Sequence, residues 1–359
     1  MNKKWNGKTT ALAVLLAAML LAMPFLIPSG AVTLAADRAY TENAPLLLDD
    51  WGTLEVFEEE QPQTEPTEVP ADASGSLLHV SGGGGSMPSG TIAALPVDFT
   101  PGPLSNPAGY TETGYQDESI TVTMESREVG DSMFHVARVK IADPSQLRTA
   151  LAGPYGTKKT NKTSSMAIAN NAVVAMNGDY YNNREGGFIA RQGETFRKKP
   201  SKSLDMLVID SKGDFHVLVQ SNPEKLTALV KDTANPIIQS FTFGPALIVD
   251  GSLQPLPESY PFNIRRPEPR AAIGQIGPLE YVMVVVDGRT DVSPGVTIET
   301  LAAFMAELGC TQAFNLDGGN SATMMFNNAY YSRKTDNSER SVSDIIYFAS
   351  AVDPATWQK

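Results

Sequence analysis

From Ser119 onward, short apolar runs alternate with glycine, asparagine and proline clusters, the pattern of a strand-rich chain. Ile120 to Met124 alternates and Phe134 to Ile141 is β-rich, so two strands are expected there. Further strands are expected at Leu204 to Ile209, Phe215 to Val219, Ala246 to Val249, Ala271 to Ile276, Tyr281 to Val286, Thr311 to Leu316, Ala322 to Phe326 and Ile345 to Phe348. Ser164 to Asn171 reads as a short helix leading into a buried strand, Ala172 to Met176. One long helix is convincing: Ile298, Leu301, Ala302, Met305 and Leu308 follow helical spacing, Thr297 is a suitable N-cap and Gly309 closes the end. The fold class expected is α/β (α+β), a mixed, strand-rich central sheet with few helices in a single globular domain over residues 119–353.

A strand over 281–286, this helix and a strand over 311–316 should form a right-handed parallel crossover. Both strands then end on one edge of the sheet, which brings Asp287 and Asp317 near each other where open α/β sheets bind ligands.

The part before residue 119 reads differently. Lys3, Lys4 and Lys8 precede an apolar run from Ala11 to Ile27 and a small-residue stretch to Ala36, so residues 1–36 read as a signal peptide, with an uncleaved membrane anchor as the alternative. Membrane contact is expected only through this segment. No cysteine follows the run, so a lipoprotein is not supported, and the sole cysteine, Cys310, cannot form an intrachain disulfide. Residues 37–118, rich in Glu, Pro, Thr and Gly, read as a disordered acidic spacer. The net charge of −12 resides there: no Lys or Arg lies between Arg38 and Arg127, against fifteen Asp and Glu. Residues 127 to 359 are balanced, so no basic surplus points to nucleic acid.

Four segments place a charged or amide group where a strand-like run meets glycine: Asn177-Gly-Asp-Tyr-Tyr181, Pro269-Arg-Ala-Ala-Ile-Gly274, Asp287-Gly-Arg289 and Phe314-Asn-Leu-Asp-Gly-Gly-Asn-Ser321. Glycine allows close approach to the backbone, and a strand end holds a polar group rigidly, so one polar pocket built from several strand ends is expected. Its chemistry is narrowed by what is missing. His79 lies in the spacer, and His135 and His216 lie in strand-like stretches, so they read as ordinary strand residues; no nucleophile elbow, phosphate loop or dinucleotide fingerprint occurs. Carboxylates remain for proton transfer or attack, with Arg265, Arg266, Arg270 and Arg289 as the cations near them. Guanidinium groups suit phosphate oxygens, and carboxylates suit glycosidic bonds; a sugar joined to a phosphodiester uses both.

These ordered segments, together with Phe243 to Gly251 and Glu339-Arg340, resemble the phosphodiester glycosidase domain family over about residues 119–350. The resemblance implies that Asp179, Arg270, Asp287, Arg289, Asp317 and Ser321 line the site, with Asn177, Gly318 and Gly319 supplying amide contacts. Asn320 replaces a glycine common in the family, and the added amide is expected either to reshape the sugar pocket or to coordinate a different substituent. The cysteine-rich modules of animal members are missing, so their protein-glycan substrate is not inherited. The expected activity is hydrolysis of a sugar-1-phosphodiester at the anomeric carbon by an exported enzyme acting on phosphorylated glycan of the cell envelope or on extracellular polysaccharide. Arg270 and Arg289 would hold the phosphate, Asp317 would be nucleophile or base, and Asp179 or Asp287 its partner.

Other readings stay open. Asp317 and Asp287 also fit plain turn positions, Arg265 and Arg266 a solvated loop, and Glu339-Arg340 a surface ion pair. Asp179 beside Asn177 and Asn182 offers oxygen ligands suited to Ca²⁺ or Mg²⁺, though not in EF-hand spacing, so a divalent cation is optional. A metal-dependent phosphodiesterase and a non-catalytic wall polysaccharide-binding protein are the two alternative functions.

Overall fold

The computed structural model describes residues 46–48, 54–56, 92–333 and 339–358, within a compact unit that spans Ala44–Lys359. The apolar run of residues 11–27 and the glycine-rich stretch at 82–86 lie outside the described residues. Among the described residues no helix is long and apolar enough to cross a membrane. The strands in chain order are β1 (Leu46–Leu48), β2 (Leu54–Val56), β3 (Tyr110–Thr111), β4 (Gly114–Gln116), β5 (Ile120–Val129), β6 (Ser132–Ile141), β7 (Leu147–Leu151) and β8 (Val174–Asn177). They continue with β9 (Ile189–Arg191), β10 (Glu194–Arg197), β11 (Asp205–Asp210), β12 (Phe215–Leu218), β13 (Ile237–Phe243), β14 (Ala246–Val249) and β15 (Ser252–Leu253). The last six are β16 (Arg270–Gly277), β17 (Glu280–Val286), β18 (Gln312–Leu316), β19 (Met324–Phe326), β20 (Ala329–Tyr330) and β21 (Asp344–Phe348). Three α-helices accompany them: α1 (Thr163–Ala169), α2 (Pro223–Lys231) and α3 (Ile298–Glu307).

A nine-stranded sheet in the order β15-β14-β18-β16-β17-β6-β5-β4-β3 faces a five-stranded sheet, β20-β19-β8-β21-β7, and a three-stranded sheet, β12-β11-β13. The largest apolar core joins all three: Ala271, Ile273 and Phe314 from the first pack with Met176 and Phe348 from the second and Leu207 and Phe241 from the third. Strand alternation sends the intervening residues outward, where Ala272, Val284 and Ala313 meet Leu301 and Met305 of α3. Helices α1 and α2 cover the outer faces of the two smaller sheets, through Met166 and Leu226. The described residues thus form a mixed, strand-rich α/β domain with few short helices.

The close seat of α3 depends on Gly274, in the middle of β16. A Cβ there would lie 2.6 Å from Cys310 Sγ, 2.9 Å from Met305 Cε and 3.0 Å from the Gln312 carbonyl oxygen. Gly274→Ala is therefore expected to lower stability by about 1–3 kcal/mol through overpacking. A denaturant midpoint equal to that of the parent chain would contradict this.

The two strands of the crossover are parallel as the pattern predicts, with one addition. Strands β17 and β18 both pair antiparallel with β16, so they run parallel to each other with β16 inserted between them. The carboxyl ends of β17 and β18 and the start of β16 therefore share one edge. The expected spacer, in contrast, stops short of residue 118. Strands β3 and β4 extend the large sheet, Tyr115 is buried in the core, and the Arg148 guanidinium donates to the carbonyls of Pro96, Asp98 and Thr100. The few aromatic and aliphatic residues of this stretch suffice because a buried arginine satisfies its backbone.

Candidate active site

Glycine brings the strand ends together around one residue, Pro269. A Cβ on Gly288 would meet the Pro269 nitrogen at 2.6 Å, and one on Gly318 would meet the Pro269 carbonyl oxygen at 2.5 Å. The Gly319 N–H donates to that same oxygen at 2.8 Å. The Asp-Gly pairs after β17 and β18 thus clasp the residue before β16 from both sides, which is why glycine stands there.

Asp317 leaves β18 at this edge. Its Oδ2 accepts from Arg340 Nη2 at 2.6 Å, and Arg340 Nε donates to Ser321 Oγ at 2.7 Å. The Asp317 side chain retains 11% of its exposure, whereas Arg340 and Arg289 are each 46% exposed. Burial raises the Asp317 pKa; Arg340 and the Ser321 hydroxyl oppose the rise, and the nearby Asp179 charge adds to it. Arg289 adopts φ +60° and reaches toward Gly319, donating to Glu268 Oε2 at 2.6 Å and Asn320 Oδ1 at 3.1 Å. Asp317, Arg340, Arg289, Asn320 and Ser321 therefore form one constellation, a partly open carboxylate beside two half-exposed guanidinium groups.

Asp179 supports this constellation from beneath. Asn177 closes β8, donates Nδ2 to the Asp317 carbonyl at 2.7 Å and accepts the Thr323 N–H at 3.1 Å, so it locks two loops rather than facing a ligand. The intervening Gly178 has no room for a side chain, because a Cβ would sit 2.3 Å from Asp344 Oδ1. The Asp179 carboxylate is fully enclosed. Oδ1 accepts from the Tyr181 N–H at 2.9 Å, Oδ2 accepts from Arg184 Nη2 at 2.8 Å and the Thr242 N–H at 3.0 Å, and Arg191 Nη2 lies 3.4 Å away. Burial alone would raise its pKa, but Arg184, Arg191 and the two backbone N–H groups outweigh it and hold Asp179 below the ordinary range. Behind it, Arg191 Nε donates to Asp344 Oδ2 at 2.7 Å, and burial together with Asp179 pushes the Asp344 pKa up. The Asp179 oxygens are thus occupied by N–H donors of the protein itself. Among the described residues no group of three or more His, Cys, Asp or Glu could hold a metal ion.

Two expected site residues are committed elsewhere. Arg270 is buried, and its three nitrogens donate to the carbonyls of Val296, Asn263 and Arg266 at 3.0, 2.9 and 2.9 Å. It staples the proline-rich loop to the sheet, and burial lowers its pKa to about 10. Asp287 lies about 9.5 Å of backbone from Asp317, two strand spacings across β16. Its Oδ1 accepts the Arg333 N–H at 3.0 Å, while His135 Nε2 approaches Oδ2 to 3.0 Å and His135 Nδ1 meets Ser126 Oγ at 2.8 Å. Asp287 borders a cavity of about 610 Å³ with Thr290, Ser293, Tyr330 and Arg333. Asp317, Asp287 and Arg270 therefore do not form the expected trio. Gly319 has spent its N–H on Pro269, and Glu339 and Arg340 do not pair: Glu339 binds the Ser164 N–H and the Tyr330 hydroxyl.

Sequence reasoning passed over Arg340 as a reacting-site cation, and also His135, Arg184, Arg191 and Asp344. His135 was readable only through register, since it pairs with Val285 and so faces the same side as Asp287. Arg191 and Asp344 gave no local signal, because their meaning arises from burial against each other.

The site is thus a partly open carboxylate with two guanidinium groups, set at the carboxyl edge of a sheet in a strand-rich α/β domain. Residues 170–349 match the family model described as phosphodiester glycosidase, about half of the chain, and the chain belongs to that family. The catalytic domain of zebrafish N-acetylglucosamine-1-phosphodiester alpha-N-acetylglucosaminidase, solved in a form auto-inhibited by its pro-peptide, shares the fold. Its TM-score is 0.52 at 20% identity, covering 73% of this chain and 99% of that one. An SPbeta prophage-derived uncharacterized protein of Bacillus subtilis, YomE, is 26% identical over 197 residues, 54% of this chain, and this chain spans 30% of its length.

Proposed function

We propose that this chain hydrolyses a sugar-1-phosphodiester at the anomeric carbon, releasing free sugar and a phosphomonoester, outside the cytoplasm and on a glycan of the cell envelope. The observation that carries the reading is the partly open Asp317 carboxylate flanked by Arg340 and Arg289. Asp317 acts on the anomeric carbon, either attacking it or taking a proton from the attacking water. The two guanidinium groups bind the phosphate oxygens as the C–O bond breaks and charge gathers on them. Phosphate is a good leaving group, so the reaction does not require strong general-acid assistance from a second carboxyl group. Asp179 serves by fixing the Asn177 junction and the charge balance beneath Asp317. The basic and apolar amino-terminal pattern supports export.

Hydrolysis in ¹⁸O-labelled water tests the bond that breaks. The label is expected in the released sugar; label in the phosphate would mean P–O cleavage and would remove the glycosidase reading.

A further inference from the structure

A second polar cavity lies on the far side of Asp179. It holds about 600 Å³ and is walled by Tyr155, Lys158, Asn182, Arg184, Glu185 and Arg197. Three cations face one carboxylate there, in a domain whose basic and acidic residues otherwise balance. Arg197 gives one N–H of each nitrogen to the protein: it donates to the Tyr155 hydroxyl at 3.1 Å and to the carbonyls of Gly186 and Tyr181 at 2.8 and 3.3 Å, which leaves donor capacity on both terminal nitrogens. Arg184 is committed less. Its Nη2 binds Asp179, but its Nε and Nη1 are buried without an acceptor, although the side chain is 12% exposed at the cavity wall. An unmet guanidinium edge in a protein interior is costly, and an oxyanion entering the cavity supplies the missing acceptors with a small turn of the side chain about its Asp179 bond. Lys158 is exposed at the rim, with left-handed backbone at φ +53°.

The wall is built rather than incidental. Tyr155 stacks on Tyr181 at 5.8 Å and on Phe196 at 4.8 Å, with Arg197 over its ring. Its other side borders an aromatic cavity of about 620 Å³ that includes Phe99 and Phe196. Cations on one side of a tyrosine and aromatic rings on the other match a ligand that alternates phosphate with sugar, since sugar rings rest on aromatic faces while phosphate oxygens seek guanidinium.

We infer that the Lys158–Arg184–Arg197 cleft is a second phosphate-binding site, which takes a neighbouring phosphodiester of a polymeric anionic glycan while another is held at Asp317. The polymer assignment rests on the glycosidic reading of Asp317; the phosphate site does not.

Inorganic phosphate titrated calorimetrically into the full chain tests the site. Binding should survive in an Arg289→Met/Arg340→Met double variant and weaken about tenfold or more, a difference of about 1.4 kcal/mol, when Lys158→Glu is added. Arg184→Met should weaken it further, but this change strips a partner from buried Asp179, so the exposed Lys158 change decides. Phosphate binding lost in the double variant, or indifferent to Lys158→Glu, would overturn the site. A second arm uses the Asp317→Asn chain with a poly(sugar phosphate) and a single sugar-1-phosphodiester. Lys158→Glu should lower the ratio of polymer to single-unit affinity about tenfold. An unchanged ratio, with phosphate binding still weakened, would overturn the polymer assignment and leave a site for free phosphate. Neither binding measurement needs turnover, so failure of the glycosidase reading would be seen separately, in the isotope experiment.

Discussion

Asp317→Asn is expected to lower kcat by at least about 10³-fold, the scale on which loss of a reacting carboxylate acts, without loss of fold. The two halves of this expectation have separate origins. Turnover falls because an amide neither attacks carbon nor accepts a proton. Stability holds because burial raises the folded-state pKa of Asp317 above its unfolded value. A carboxyl group so shifted contributes stability below the unfolded pKa and loses that contribution as pH rises through the folded pKa. At neutral pH its charge is therefore a cost, and the neutral amide should melt no earlier than the parent chain. Retained turnover would remove Asp317 from the mechanism. The same shift moves the acid limb of the kcat/KM profile upward from the ordinary value of an aspartate, since the ionised form is the active one. Arg340→Met withdraws the charge that counteracts the shift, so the limb should move further toward neutral pH even as the rate falls.

Arg191→Met should do the reverse, sparing the reacting groups and undermining the fold. Arg191 is fully buried between Asp179 and Asp344, lies over the rings of Tyr181 and Phe241, and also donates to the Ser240 carbonyl. Removing one member of such a cluster leaves uncompensated charge in the interior, at a cost of about 3–5 kcal/mol. For a domain of this size that lowers Tm by about 10 °C. Burial and Asp179 already push the Asp344 pKa up, and loss of the guanidinium pushes it further. A group with a raised folded pKa is least harmful when protonated, so the gap between parent and variant should narrow as pH falls. Adding Asp344→Asn should restore part of the loss at neutral pH. A gap that stays constant with pH, measured by denaturant unfolding, would show that packing rather than charge dominates.

How far this could be read from the chain depends on whether the signal was local. The strand–helix–strand unit around α3 announced itself through the period of Ile298, Leu301 and Met305, and its consequence, a shared edge for Asp287 and Asp317, followed from topology. Strand β16 between them was also legible as a strand, but not its placement in the sheet, which depends on nonlocal pairing. That insertion separates the two carboxylates and leaves Asp287 with His135. Helix α2 carried legible marks, Asn222 as N-cap and Pro223 in the first turn, yet its nine residues are too polar for a periodic stripe to stand out. Strands β7, β9 and β13 mix Thr, Arg, Gln and Ser with apolar residues. They are strands because buried partners satisfy those groups, as Gln239 does for Thr149. Arg270 shows the opposite limit: a motif fixes where a residue sits without fixing what its side chain holds.

The clasp around Pro269 bears on how such a scaffold diversifies. Because two glycines grip opposite sides of one proline, the turns bearing Asp317 and Arg289 cannot drift independently: a side chain added to either displaces both. Lineages acquiring new substrates would have to leave that knot intact and vary the rims farther out, such as the turn carrying Asn182 to Glu185. New selectivity should therefore accumulate at the periphery while the reacting centre is passed on unaltered.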